Sequence, residues 1–137
     1  MSKSFIDTNV IVYANDSRDP VKHQRARALT TELIESRAAV VSTQVLHEFA
    51  SVALAKLGQP SEMVHRALRL LELTEVVTHS AALIHRAIDL KTQHAINYWD
   101  ACILAAAESA GCTDLYSEDL NAGQSYAGVR VVNPFAA

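Results

Sequence analysis

The chain has 137 residues, half of them hydrophobic and one in five charged, with a net charge of −3. That length suits one domain, assigned to residues 1–137, with a core large enough to need no disulfide or structural metal. The acidic balance excludes a protein that grips nucleic acid by phosphate neutralisation alone, unless a bound cation supplies the positive field locally.

The elements alternate from the start. Ser4-Phe5-Ile6 reads as a first short strand and ends on a charge at Asp7, so neither a secretory leader nor a membrane span is expected. A helix beginning near Val10 follows, then a longer one from Val21 to Ser36 with Pro20 at its entry. Ala39-Val40-Val41 is a second strand. From Thr43, taken as an N-cap, apolar residues recur at Val45, Leu46, Phe49, Ala50, Ala53, Leu54 and Leu57, the helical period, until Gly58. Ser61 to Leu71 is another helix, with Met63, Ala67, Leu70 and Leu71 turned inward.

Glu75 to Thr78 forms a third strand, and Ser80 caps a helix reaching about His94. Asn97 caps the next, Tyr98 to Ala110, whose run from Ala101 to Ala107 leaves almost no polar face and predicts burial on most sides. Asp114 to Tyr116 and Val129 to Val132 complete about five short strands. Strands separated by helices argue an α/β domain of three layers, a mostly parallel sheet between helices.

Four acids stand out by position. Asp7 directly follows the first strand, and Asp119, with Glu118 beside it, follows the fourth. Ligands of open parallel sheets bind beyond the carboxyl ends of strands. Asp100 sits in the first turn of the most apolar helix, and Glu48 in the early part of the 43–57 helix. Each has a local explanation too. Asp7 can cap the helix that follows, Asp100 favours a helix dipole, Glu48 points away from its helix's apolar stripe, and Glu118 and Asp119 suit a turn. Should they converge, two carboxylates at ~4 Å repel by ~4 kcal/mol at an effective dielectric near 20. Such a pocket calls for a hard cation such as Mg²⁺.

Other chemistries fail on spacing. His47-Glu48 opens like a zincin helix, but position 51 is Ser51 rather than histidine. The histidines and cysteines show no zinc spacing, the four glycines make no phosphate loop, and no glycine-flanked serine offers a nucleophile. Cys102 and Cys112 read as reduced, buried thiols of a cytoplasmic protein. Trp99 and the tyrosines are assigned to the core. Lys3, Lys22, Arg25 and Arg27 are candidate phosphate contacts with nothing to place them near the acids.

At the acids the chain resembles the PIN-domain family. Phe5-Ile6-Asp7-Thr8-Asn9-Val10 is similar to its opening strand and first acid, and Val41 to Phe49 to its second-acid helix. Tyr98-Trp99-Asp100-Ala101 resembles the third-acid motif, Tyr116-Ser117-Glu118-Asp119-Leu120 the fourth, and Val131 to Phe135 the family's ending. Within that family, the length resembles the VapC-type toxins of toxin–antitoxin pairs. The resemblance implies an endoribonuclease dependent on Mg²⁺ or Mn²⁺, commonly a homodimer, silenced by a cognate antitoxin. Its metal and catalytic acids would be Asp7, Glu48, Asp100 and Asp119, supported by Asn9, Ser117 and Glu118. The alternatives are a PIN-like RNA- or protein-binding module without turnover, and a dehalogenase-type phosphatase, which would want an aspartate where the chain has Asn9.

Overall fold

A computed structural model describes residues 2–136. β1 (Lys3–Ile6) leads into α1 (Thr8–Ala14) and α2 (Pro20–Glu35). β2 (Ala39–Ser42) is followed by α3 (Thr43–Ala55) and α4 (Ser61–Leu71), and β3 (Glu75–Val77) by α5 (Ala81–His94) and α6 (Tyr98–Ser109). β4 (Cys112–Tyr116), β5 (Ser125–Tyr126) and β6 (Val129–Val132) complete the chain. The six strands form one sheet in the order β3-β2-β1-β4-β6-β5, parallel except for β5 against β6. This α/β sheet flanked by helices matches the expected fold class.

The sixth strand was not legible beforehand. β5 has two residues, too few to show a period, and exists because Tyr126 pairs with Val129 around a two-residue turn. That turn puts both Ala127 (φ 51°) and Gly128 (φ 82°) in the left-handed region, as a type I′ hairpin demands. Its return buries Tyr126 in the core.

Strand order positions the site. From β1 the chain steps outward to β2 and β3, then crosses back over them to place β4 on the other side of β1. Crossovers that run in opposite directions and share one hand place their helices on opposite faces. The gap between them opens at the carboxyl ends of β1 and β4, the switch point where open α/β sheets bind ligands. Asp7 begins immediately after β1 and Ser117 immediately after β4.

α6 is the central packing element. Ala101, Cys102, Ile103, Leu104, Ala105, Ala106 and Ala107 are all buried. Small alanines let strands and α5 approach it closely, and its N-terminus stays pinned by the Asn97 side chain, which accepts from the Trp99 N–H. The cap of α3 is Ser42 rather than Thr43; its hydroxyl accepts from the Val45 N–H.

α4 differs more from expectation. Met63 and Leu70, expected inward, are 48% and 52% exposed, while Val64 and Leu71 are buried. The buried stripe is rotated by one position, and α4 packs chiefly against α3 rather than against the sheet. No helix among the described residues is long and apolar enough to cross a membrane.

Candidate active site

A cleft of about 720 Å³ lies over the switch point between α1, α3 and the N-terminus of α6. Asp7, Glu48, Asp100 and Asp119 all line it, together with Asn9 and Glu118. Residues up to 112 positions apart in sequence thus share one wall.

Asp7 is the anchor. It is 4% exposed, and its own N–H is held by the carbonyl of Tyr116, which ties the end of β1 to the end of β4. Its Oδ1 accepts from the Thr8 N–H at 2.7 Å and its Oδ2 from the Ser117 hydroxyl at 2.7 Å. The helix-capping and cleft-lining readings of Asp7 are therefore both true, since one residue starts α1 and faces the cleft. Burial pushes its pKa up to about 7; the two hydrogen bonds oppose that rise, and the charges of Asp119 and Asp100 add to it.

Asp100 is half-buried, and its pKa is raised by burial first, then by the charges of Asp119 and Glu48. Asp100 thus lies in the field of both Asp119 and Glu48, and Asp7 in that of Asp119 and Asp100. Glu48 comes from the polar face of α3, where it looked solvated by periodicity. Its Oε1 accepts from the Thr8 hydroxyl at 2.6 Å, a contact the sequence did not signal. Asp119 is exposed on the loop after β4, and its Oδ2 accepts from the Asn9 amide at 3.1 Å.

Asn9 and Ser117 form the frame between them. The Asn9 amide also donates to the Ser117 hydroxyl at 3.3 Å, and its oxygen accepts from the Glu118 N–H at 3.4 Å. The Ser117 hydroxyl in turn accepts from the Asp119 N–H at 3.1 Å. Glu118 is turned aside into an ion pair with Lys22 at 2.9 Å. On the rim, Asp16 is paired with Arg18. None of the four inner carboxylates has a salt bridge among the described residues.

Of the expected phosphate contacts, only Lys22 comes near the cleft, and it is taken by Glu118. Lys3 sits at the opposite end of β1, bound to Glu75 and the Ala110 carbonyl. Arg25 reaches the carbonyls of Phe135 and Ala136, and Arg27 lies on a separate depression of α2. The cations that do line the cleft are Arg18 and Lys56. Trp99, expected in the core, is 61% exposed and lines the cleft as well. Periodicity could not reveal it, because α6 is apolar almost all round and its side chains near the capped end outrun the core.

Among the described residues no three acids, histidines or cysteines are arranged to hold one ion together. The donor set nevertheless fits Mg²⁺. It is all oxygen, and Mg²⁺ keeps several waters and is commonly held by one or two carboxylates. The Asp7 carboxylate accepts two protein hydrogen bonds out of about four lone-pair positions, and that of Asp100 accepts none among the described residues. Cys102 and Cys112 are free and buried. Burial pushes Cys112 up to about 12 and Cys102 upward as well, so neither offers a thiolate.

The PIN-domain family model matches residues 4–124, which carry all four acids. The chain belongs to the PIN-domain family. Solved structures share the PIN fold over nearly its whole length. One is VapC20 of Mycobacterium tuberculosis, described as a sarcin-ricin loop cleaving toxin: 22% identical, TM-score 0.70, covering 93% of this chain and 99% of that one. A toxin–antitoxin complex from Klebsiella pneumoniae is 18% identical with a TM-score of 0.73, covering 98% and 100%. VapBC2 from Rickettsia felis, bound to a DNA fragment from its promoter, is 18% identical with a TM-score of 0.66, covering 93% and 96%. No curated protein matches this PIN domain in sequence.

Proposed function

We propose that this PIN domain is an endoribonuclease that hydrolyses RNA phosphodiesters with Mg²⁺ or Mn²⁺, and that it acts as the toxin of a toxin–antitoxin pair in the cytoplasm. The observation that carries the reading is the cleft itself. Four carboxylates line one cleft at a sheet switch point, with hydroxyl and amide partners but no salt bridge among the described residues. The likeness in fold to toxins, one of them an RNA-cleaving protein by its description, supports the same reading.

Asp7, Asp100 and Asp119, with Glu48, would hold the metal. When bound, it would supply a Lewis acid for the phosphodiester and a lowered pKa for the attacking water. The chain's own residues do the positioning. Ser117 and the Thr8 N–H fix both oxygens of Asp7, Thr8 fixes Glu48, and Asn9 fixes Asp119. Water adds to phosphorus, the P–O3′ bond breaks, and the products are a 3′-hydroxyl and a 5′-phosphate. With both thiols buried and no serine or histidine constellation in the cleft, no covalent enzyme intermediate is involved.

The same cleft suits an inhibitor. A guanidinium pairs carboxylates bidentately, so an antitoxin segment bearing arginine would compete with the metal. The exposed Leu54, Met63 and Leu70 on α3 and α4 offer apolar surface for the homodimer; light scattering at tens of micromolar would read the dimer mass.

The test is cleavage of a mixed RNA panel with Mg²⁺, with EDTA, and by the Asp100→Asn protein. Cutting in Mg²⁺ alone, with 5′-phosphate ends, is expected. Undiminished cutting in EDTA, or 2′,3′-cyclic phosphate ends, would overturn the mechanism, because the latter arise from attack by the RNA's own 2′-hydroxyl.

A further inference from the structure

α6 buries seven consecutive residues, yet the one just before its cleft carboxylate is the chain's single tryptophan, held in solvent. Val21 and Leu73 are as exposed, and singly exposed apolar side chains are ordinary; what sets Trp99 apart is that it lines the cleft beside Asp100. The indole is not loosely displayed. The Trp99 main-chain N–H donates to Asn97 Oδ1 at 2.8 Å, and its main-chain carbonyl accepts from the Gln44 side-chain amide at 3.2 Å. The ring meets Tyr98 edge to face, centroids 5.1 Å apart at 73°. Backbone and ring are both braced before anything binds.

The cleft has a direction. Gln44, Glu48, Ser51 and Val52 line it from α3, and Lys56 follows at that helix's C-terminus. Twelve steps of about 1.5 Å from Gln44 to Lys56 make this wall about 18 Å long. Trp99 stands beside Gln44 at one end, and Glu48 follows one turn along, joined through Thr8 to Asp7. Lys56 lies at the other end, with Arg18 by the adjoining Leu57 and Gln59. Lys56 has no salt bridge among the described residues, whereas Arg18 is partly neutralised by Asp16.

We propose that Trp99 is a stacking platform for an unpaired nucleobase next to the scissile phosphate, and so a specificity-determining residue for single-stranded RNA segments. This rests on the ribonuclease reading of the carboxylates. The order aromatic, carboxylates, cations matches the order base, reacting phosphate, flanking phosphate along one strand. A base inside a duplex has both faces stacked, so only an unpaired one can lie on the indole.

Because Trp99 is the only tryptophan, its fluorescence reports on this position alone. An Asp119→Asn background with EDTA leaves RNA uncut and removes one repelling charge. In it, a mixed-sequence single-stranded 12-mer RNA should quench the emission, and the same strand in a duplex should not. Labelled-RNA anisotropy should show binding about five- to 100-fold weaker for Trp99→Ala and near the parent for Trp99→Phe. With Asp119 intact and Mg²⁺ present, Trp99→Ala should raise KM with kcat little changed, the pattern of lost binding rather than lost chemistry.

If the unaltered protein cuts no RNA in Mg²⁺, the ribonuclease reading fails, and the platform with it. If it cuts, but Trp99→Ala binds and cuts equally well, only the platform fails. Equal quenching by duplex and single strand would also overturn it. So would a Trp99→Ala protein with unchanged RNA affinity that no longer binds a peptide inhibitor, which would make this end of the cleft a protein interface.

Discussion

The two ends of β1 treat charge in opposite ways. At its start, Lys3 donates to Glu75 at 2.8 Å and to the Ala110 carbonyl, closing the bottom of the sheet with charges matched inside the chain. At its finish, Asp7 is more deeply buried than Lys3 yet receives only a hydroxyl and an N–H. A similar contrast appears in the cleft, where Asp16 and Glu118 have cations, while the inner four, like Asp19 on the rim, have none among the described residues. Folding alone would favour pairing the buried charge first, since an unpaired buried carboxylate is costly. The arrangement makes sense if the compensating charge arrives from outside.

The sharpest way to break that comparison is to remove charge from the inner set. Asp100→Asn keeps shape but deletes a carboxylate with no protein partner, so cleavage should fall by more than about 100-fold, beyond the usual loss of an outer partner of a metal ligand. The fold should survive, as circular dichroism would show. A fully active Asp100→Asn protein would mean that the uncompensated charge is not what the reaction uses.

Next in size is the frame. Asn9→Ala removes the amide that holds Asp119 and Ser117. Cleavage should drop about 10- to 100-fold, with a higher Mg²⁺ concentration for half-maximal rate. A drop without that shift would detach Asn9 from metal binding.

The contrast also predicts a pH dependence of stability. The Asp7 pKa is raised from 3.8 to about 7 by burial, so the native state binds more protons than the unfolded chain between those values. Metal-free stability should therefore fall as pH rises from about 4 to 7 and level off above, a loss of up to a few kcal/mol. Mg²⁺ should raise Tm more at pH 8 than at pH 5.5. An equal rise at both would show that Asp7 is not the carboxylate the ion relieves.

The smallest effect belongs to the other end of the strand. Lys3→Ala breaks an ion pair that is nearly half exposed on both sides, and such pairs contribute little. Cleavage should stay within about twofold of the parent. A larger loss would couple the two ends of β1.

Much of this was legible along the chain. Caps at Asn97 and Ser80, apolar periods and strand-sized runs marked the elements, because those signals are local and the backbone reads them within a turn or two. Asp7 and Asp100 stood out for the same reason, a charge at the end of a strand and another at the head of an apolar helix. Order along the sequence could not reveal that Thr8 holds Glu48, that Asn9 spans to Asp119, or that Gln44 braces Trp99. Those contacts join elements 40 to 110 residues apart, and no period encodes them.

The sequence by itself determined the alternation of strands and helices and the PIN-type spacing of the acids. Tertiary structure decided which way individual side chains faced. It turned Met63 and Leu70 outward on a helix that packs chiefly against α3, and left Trp99 in the cleft. It also matched Lys3 to Glu75 at one end of β1 and left Asp7 with only a hydroxyl and an N–H at the other. The physical reason is common to all of them. A residue's type states what it can bond to, but only the packing of distant elements fixes which partner, or which solvent, it meets.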